Sequence, residues 1–342
     1  MDQRGMNNQA KAKILFFDAK PYEIENFKRF NRELNYDFEL DFLELKLNHQ
    51  TASLAQGYEY ICIFVHDQAN DDVLKILKDQ GVKLIALRCA GYNNVSLNKA
   101  KELGINVVRV PEYSPYAVAE HALALLMTLN RKIHRAYARV RENNFALNGL
   151  MGFDVHGKTV GVIGTGKIGL IMTKLMAGMG CRVIAYDLYP NQIKAKEIGF
   201  DYCELADLLA NSDIISLHTP LTPETHYLVN AQTISDMKDG VVIINTSRGA
   251  LIDTAALIEG LKSGKIQAAG LDVYEEEDAY FFEDFSDQLV LDDQLARLMS
   301  FNNVIITAHQ AFLTREAIEK IVQVTLSNIT DFINGKDLAN KC

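Results

Sequence analysis

Val160-Gly-Val-Ile-Gly164-Thr-Gly166-Lys-Ile-Gly169 is the stretch on which the reading of this chain turns. A β-rich apolar run enters a turn of spaced glycines, and a helical pattern follows. In such a turn Gly164 allows the tight bend and Gly166 lets backbone approach a pyrophosphate. Gly169 lets the helix pack on the strand. Lys167 and Ile168 then open a helix whose unpaired N–H groups and positive dipole end favour phosphate. A glycine-rich turn can also be purely structural, so the next strand decides. Arg182-Val-Ile-Ala-Tyr-Asp187 ends in a carboxylate eighteen residues after Gly169, where an acid accepts hydrogen bonds from a ribose 2′-hydroxyl. The same charge repels a 2′-phosphate, and no Arg lies within residues 188–191, which favours NAD over NADP.

Working outward, short apolar runs alternate with helical patterns along nearly the whole chain. Residues 13–17, 38–45, 60–65, 84–87 and 106–110 read as one series of strands. Residues 159–163, 182–186, 213–217, 241–245, 267–273 and 303–307 read as a second. Continuous apolar strands separated by helices imply parallel sheets covered on both faces, hence an α/β chain of two doubly wound units. At 342 residues the chain is long for one core and suits two domains. The seam falls near Pro111–Pro115, where Ser114 reads as an N-cap and Pro115 as the first helical residue. The expected helix is single and long, over residues 116–141. Its half at 117–129 is apolar on nearly every side, which fits a domain-bridging or subunit-contact helix. A last amphipathic helix is expected over 314–334, with no strand after it.

Composition removes several function classes. A net charge of −9 argues against a nucleic-acid or anionic-membrane surface. The local basic run Arg131, Lys132, Arg135, Arg139 and Arg141 then reads as a solvated face or as intersubunit ion pairs. No apolar stretch reaches the roughly 18 residues of a membrane helix, and the polar residues 1–10 lack the apolar centre of a signal peptide. Cys62, Cys89, Cys181, Cys203 and Cys342 are odd in number and scattered, without CxxC. They read as reduced, buried thiols of a cytoplasmic protein rather than a disulfide framework or zinc site. No histidine–carboxylate cluster has metal-ligand spacing.

Ligands of open α/β sheets bind beyond the carboxyl ends of the strands. The late strands end there in reactive groups. Residues 241–245 run into Thr246-Ser247-Arg248-Gly249, where the guanidinium offers a planar fork for a carboxylate. Residues 267–273 run into Tyr274-Glu275-Glu276-Glu277, and 303–307 into Ala308-His309-Gln310. Histidine is the natural proton carrier near neutral pH, and an adjacent glutamate favours its charged form. Taken singly, each group suits a surface ion pair, an acidic loop or a helix cap. Three complementary groups, each just past a strand of one dinucleotide fold, point to reduction of a small 2-keto acid. His218, at a strand end before Thr219-Pro220, reads as shaping a cofactor wall. His49, His66, His121, His134, His156 and His226 read as structural.

At these residues the chain resembles the D-isomer-specific 2-hydroxyacid dehydrogenases, and within them the fermentative D-lactate branch of bacteria. The resemblance runs from about residue 13 to 334. It is carried by Leu87-Arg-Cys-Ala-Gly-Tyr-Asn-Asn94, Val110-Pro-Glu-Tyr-Ser-Pro-Tyr-Ala-Val-Ala-Glu-His121, Gly164 to Gly169, Asn245-Thr-Ser-Arg-Gly249, Leu271-Asp-Val-Tyr-Glu275 and His309-Gln-Ala-Phe312. It implies that Arg248 binds the substrate carboxylate and that His309 passes a proton to the keto oxygen with Glu277 bonded to it. Glu277 is chosen over Glu275 and Glu276 because the family's acid stands five residues after the aspartate matching Asp272. Ala90, Gly91 and Tyr113 correspond to further carboxylate contacts, and Phe312 to an aromatic wall. Lys167, Ile168, Asp187, Thr219, Pro220, Thr225, Thr246, Ser247, Arg248 and Asp272 correspond to NAD contacts.

The family also implies a split, flavodoxin-like substrate domain (1–112 plus 312–342) around an NAD-binding Rossmann domain (113–311), with a cleft between them that closes on the substrate. It implies a homodimer or larger homo-oligomer. Residues 1–10 match nothing in the family and read as a mobile tail. Residues 277–299, with Tyr280, Phe281, Phe282 and Phe285, are longer than in the wider family and resemble the lactate branch, which implies pyruvate as substrate and D-lactate as product. Two rival readings are a dehydrogenase of bulkier 2-keto acids and an NAD-sensing corepressor of related fold. The lactate-type insertion and the missing long regulatory tail speak against the corepressor. A third, a binding protein with a dead site, is opposed by the intact trio.

Overall fold

The structure is a computed structural model that describes residues 11–342; the expectation for residues 1–10 lies outside the described residues. The chain divides into two units, one of residues up to Ser114 together with Leu313–Cys342, the other Pro115–Phe312. In the first, β1 (Lys13–Phe16), α1 (Pro21–Glu33), β2 (Glu39–Phe42), β3 (Tyr60–Ile63), α2 (Asp71–Asp79), β4 (Leu84–Leu87), α3 (Leu97–Glu102) and β5 (Asn106–Val108) alternate. Their sheet runs β2-β1-β3-β4-β5 with every pairing parallel. Leu84–Leu87 is buried at all four positions, as a central parallel strand covered on both faces must be.

The second unit contains α4 (Pro115–Arg131), α5 (Ile133–Arg141), β6 (Thr159–Ile163), α6 (Lys167–Gly178), β7 (Arg182–Tyr186), α7 (Gln192–Ile198), β8 (Asp201–Tyr202) and α8 (Leu205–Asn211). It continues through β9 (Ile214–Leu217), α9 (Ala231–Asp236), β10 (Val241–Asn245), α10 (Thr254–Ser263), β11 (Ile266–Leu271), α11 (Asp293–Ser300) and β12 (Val304–Ile306). Its sheet runs β12-β11-β10-β9-β6-β7-β8, again all parallel. The helix α12 (Arg315–Ile333) returns to the first unit. Thr314 caps it by accepting from the Ala317 amide, and Ile318, Ile321, Val322 and Ile329 are buried on the side that meets α1 and β4.

One expectation about the helices needs correction. The single helix over 116–141 is two helices, broken at Lys132, which sits in the left-handed region at φ 50°. Its ammonium donates to the carbonyls of Gly149 and Met151 at 3.1 and 2.9 Å, so the loop that follows holds the break. α4 is covered within its own unit. It packs on α6, β10 and β11 of its own unit, and Gly270 in β11 makes room for Leu125 and Leu129. By contrast α5 has no buried residue. The two-residue strand β8 was not expected, and β2 is shorter than residues 38–45. All five cysteines are free thiols.

Candidate active site

Strand β6 lies between β7 and β9, so the order of strands reverses there and opens the crevice where such sheets take ligands. The glycine turn sits at this point. Gly164 has φ +90°, and a Cβ on it would stand 2.6 Å from the carbonyl oxygen of His218, the first residue after β9. A Cβ on Gly169 would run into the Gly164 carbonyl, whereas one on Gly166 would meet nothing within 4 Å. The space above Gly166, the N-cap of α6, is therefore open to a ligand. Asp187 is fixed at the rim of this turn. Its Oδ2 accepts from the amide and hydroxyl of Thr165 at 2.6 and 2.9 Å, and its Oδ1 from the Tyr189 amide at 2.8 Å. A carboxylate has about four acceptor sites, so one remains for a ribose hydroxyl.

The opposite wall is built from loops after β9 and β10. The Ser247 hydroxyl donates to the Thr219 carbonyl at 2.6 Å, tying these loops together. The Thr225 hydroxyl donates to the Pro220 carbonyl and accepts from the Thr222 amide, both at 2.7 Å, closing the turn between them. Thr246 Oγ1 is buried and has no hydrogen-bond partner among the described residues. His218 pairs with the Ser216 hydroxyl at 2.8 Å, and burial pulls its pKa down to about 4, so this wall is uncharged near neutral pH. Open space over Gly166, a helix N-terminus and an orphaned buried hydroxyl together fit a dinucleotide.

Of the reacting trio, the structure brings two together. His309 Nδ1 lies 2.6 Å from Glu277 Oε1, with the side chains 22% and 15% exposed. The other carboxylate oxygen accepts from the Tyr274 amide at 2.9 Å, so the acid is held by its own loop. A carboxylate can only accept, so Nδ1 carries the proton and Nε2 is the nitrogen left for substrate. His309 itself is in the left-handed region at φ 49°, with its amide donating to the Asp272 carbonyl at 2.7 Å. Arg248 follows β10 on a turn clamped by buried Asn245, which donates to the Arg248 carbonyl and accepts from the Ser247 amide. Its guanidinium rests on the Ser247 carbonyl at 2.7 Å rather than on the His309–Glu277 pair. Gly249 is required beside it, because a Cβ there would run into the Tyr274 carbonyl.

Asp272, which the resemblance matches to a cofactor contact, has a fully buried carboxylate that the His309 loop takes up. It accepts from the Thr307 hydroxyl at 2.5 Å and from the amides of Gln310 and Ala311 at 2.9 and 2.8 Å. Phe312 is buried at the end of the same loop. Ala90, Gly91 and Tyr113 belong to the first unit. Around Ala90 the carbonyls are satisfied by protein: Cys89 O by the Val110 amide, Ala90 O by Arg109 Nη1 at 2.8 Å, Gly91 O by the Cys89 thiol. The amides of Ala90 and Gly91 are not engaged among the described residues and are free to bind an anion. Among the described residues, no group of three or more His, Cys, Asp or Glu could hold a metal ion, and no helix is long and apolar enough to cross a membrane.

The family model for the D-isomer specific 2-hydroxyacid dehydrogenase, NAD binding domain, matches residues 123–311. A 2-hydroxyacid dehydrogenase homolog of Haemophilus influenzae is 52% identical over 96% of this chain and 98% of its own length. The D-lactate dehydrogenase of Escherichia coli is 51% identical over 96% and 99%. This chain belongs to the D-isomer-specific 2-hydroxyacid dehydrogenases. Among solved structures, the pyruvate reductase of Chlamydomonas reinhardtii superposes on it with a TM-score of 0.91 at 44% identity, covering 97% of this chain and 99% of that one.

This dehydrogenase is an NAD-dependent oxidoreductase of two parallel-sheet units, as its sequence implied. Sequence reasoning missed three residues that build its site. Asn245 shapes the turn of Arg248, Thr165 anchors Asp187, and His121 on α4 reaches the Asp272 carboxylate. Asn245 and Thr165 lie inside quoted motifs and could have been found from them. His121 also closes one of those motifs, but its partners are more than 150 residues away along the chain and nothing local announces them.

Proposed function

We propose that this dehydrogenase reduces pyruvate to D-lactate with NADH, and runs the reverse reaction when the ratios favour it. The observation that carries the reading is the 2.6 Å contact between His309 and Glu277 at the carboxyl end of an NAD-type sheet. It is supported by near full-length likeness to a D-lactate dehydrogenase and a pyruvate reductase.

Arg248 captures the substrate carboxylate through its planar fork and polarises the neighbouring carbonyl. The free amides of Ala90 and Gly91, with Tyr113, are further carboxylate contacts, and Phe312 supplies an apolar wall. When bound, the nicotinamide supplies the hydride for the carbonyl carbon. His309 gives the proton on Nε2 to the carbonyl oxygen as that oxygen gains charge, and is left a neutral imidazole with Nδ1–H still bonded to Glu277. Asp187 selects the unphosphorylated ribose, while Gly164, Gly166, Lys167, Ile168, Gly169, Thr219, Pro220, Thr225, Thr246 and Ser247 line or shape the cofactor's seat, and the Asp272 carboxylate is spent on the His309 loop instead.

NADH oxidation against pyruvate, 2-ketobutyrate, 2-ketoisocaproate and phenylpyruvate, with chiral analysis of each product, tests this. The highest kcat/KM should fall on pyruvate with D-lactate as product. A preference for a bulkier acid, or L-lactate, would overturn it.

The same reading includes a homo-oligomer. On α5 and the loop after it, Ile133, Tyr137, Val140, Phe145, Leu147 and Met151 are all exposed, a run of apolar side chains that a second copy would cover. Sedimentation should give at least a dimer, and Phe145→Asp with Leu147→Asp should yield monomers. Five free thiols support the reading of a reducing compartment, the cytoplasm.

A further inference from the structure

His121 projects from α4 toward the end of β11, and its Nε2 lies 3.1 Å from the Thr307 hydroxyl and 3.3 Å from Asp272 Oδ1. The hydrogens can be assigned by elimination. Thr307 has one hydroxyl proton, and it goes to Asp272 Oδ1 at 2.5 Å. Its oxygen therefore faces His121 as an acceptor, and the carboxylate is an acceptor too. His121 Nε2 must carry a hydrogen shared between them.

That hydrogen closes a chain that ends at the reacting imidazole. Asp272 holds the Gln310 and Ala311 amides with its side chain and the His309 amide with its carbonyl. These bonds bracket His309 in its left-handed conformation, from which its ring meets Glu277. A residue held at positive φ keeps its direction only while neighbours over-determine it. The carboxylate that does so is itself fixed from below by two side chains, Thr307 and His121.

We propose that His121 is a positioning residue for proton transfer: it locks Asp272 and Thr307, and through them the backbone that aims His309. The inference rests on the reading of His309 as the proton donor. Relaxing this lock misdirects the imidazole without touching the glycine turn, Asp187 or the wall at Thr246. Catalytic geometry is sensitive to displacements well under 1 Å, whereas ground-state cofactor binding at a separate set of contacts is not.

The test compares His121→Leu, His121→Gln and Thr307→Val with wild type in steady-state reduction of pyruvate, with His309→Asn as control. Leu removes the donor, while the Gln amide can return an N–H near the position of Nε2. His121→Leu and Thr307→Val should each lower kcat about tenfold with the KM for NADH within about twofold. His121→Gln should recover most of the loss, and the double variant should lose no more than either single one, as expected of one shared link. An unchanged kcat in His121→Leu would overturn the proposal. So would a loss that Gln does not repair, or a parallel loss of kcat and NADH affinity from general loosening. Should the Leu variant fail to fold, Thr307→Val and His121→Gln decide by the same criteria. Turnover surviving in His309→Asn would instead overturn the proton-donor reading, and this inference with it.

Discussion

The two units carry charges at the same topological place, just past the ends of parallel strands, and treat them in opposite ways. In the first, Arg88 after β4 is 1% exposed and grips Glu23 with two bonds of 2.7 and 3.1 Å, while donating to the Asp18 carbonyl at 2.7 Å. Asp67, beyond β3, is fully buried and accepts from the Leu47 and Phe64 amides, both at 2.6 Å. These charges are sealed, and they serve shape. In the second, His309 and Glu277 keep part of their surface, and among the described residues the Arg248 guanidinium rests on a backbone carbonyl. A strand end becomes a reactive site when its charged groups keep an exposed side. Sealing them converts the same position into a structural rivet.

Substitutions on either side should separate these two uses. Arg248→Ala should lower kcat/KM for pyruvate by about 10³-fold or more, since it removes a bidentate anchor and a carbonyl polariser together. NADH binding by fluorescence should survive; pyruvate turnover near wild type would return Arg248 to the sealed class. Glu23→Ala leaves Arg88 buried and unpaired, and should cost about 3–5 kcal/mol in urea unfolding. Glu277→Gln should reverse that profile, changing stability by less than about 1 kcal/mol while lowering kcat about 10²-fold. If the two acids behaved alike in unfolding, the contrast would fail.

Smaller effects sharpen it further. Asp187→Gly should narrow the preference for NADH over NADPH about tenfold, read from the two kcat/KM values. Stability also changes with pH. Burial raises the folded-state pKa of Asp67 to about 7, so its contribution is lost as pH rises from about 4 toward 7. Burial lowers that of His218 to about 4, so its contribution is lost as pH falls from about 6.5 to 4. The two slopes oppose each other in wild type. Asp67→Asn should leave the His218 slope alone, giving urea midpoints that climb more steeply between pH 4 and 7.

Much of this was legible in the chain itself, for local reasons. Apolar runs of parallel strands, the glycine turn and the Asp187 carboxylate are written in consecutive residues. So are the three groups after β10, β11 and β12. The break at Lys132 was not, because no Gly or Pro marks it. The loop carbonyls of Gly149 and Met151 impose it through tertiary bonds. The edge strand β8 has two residues, too few to show a period. Arg88 stood in a quoted motif, but a charge in a motif does not announce that Glu23, 65 positions earlier, will bury it. The lock at His121 was hidden for the same reason, inside a helix whose apolar pattern explains itself without it.

The left-handed backbone of His309 carries a cost that stays even when nothing is being reduced. An L-residue with a Cβ holds that conformation at an expense of about 1 kcal/mol, which glycine avoids and asparagine lessens. Directed evolution of this enzyme for heat resistance, screened without turnover, would thus reward replacement of the side chain proposed as the proton donor. Thermal selection and catalytic selection pull on position 309 in opposite directions, and any stabilising campaign must hold it fixed.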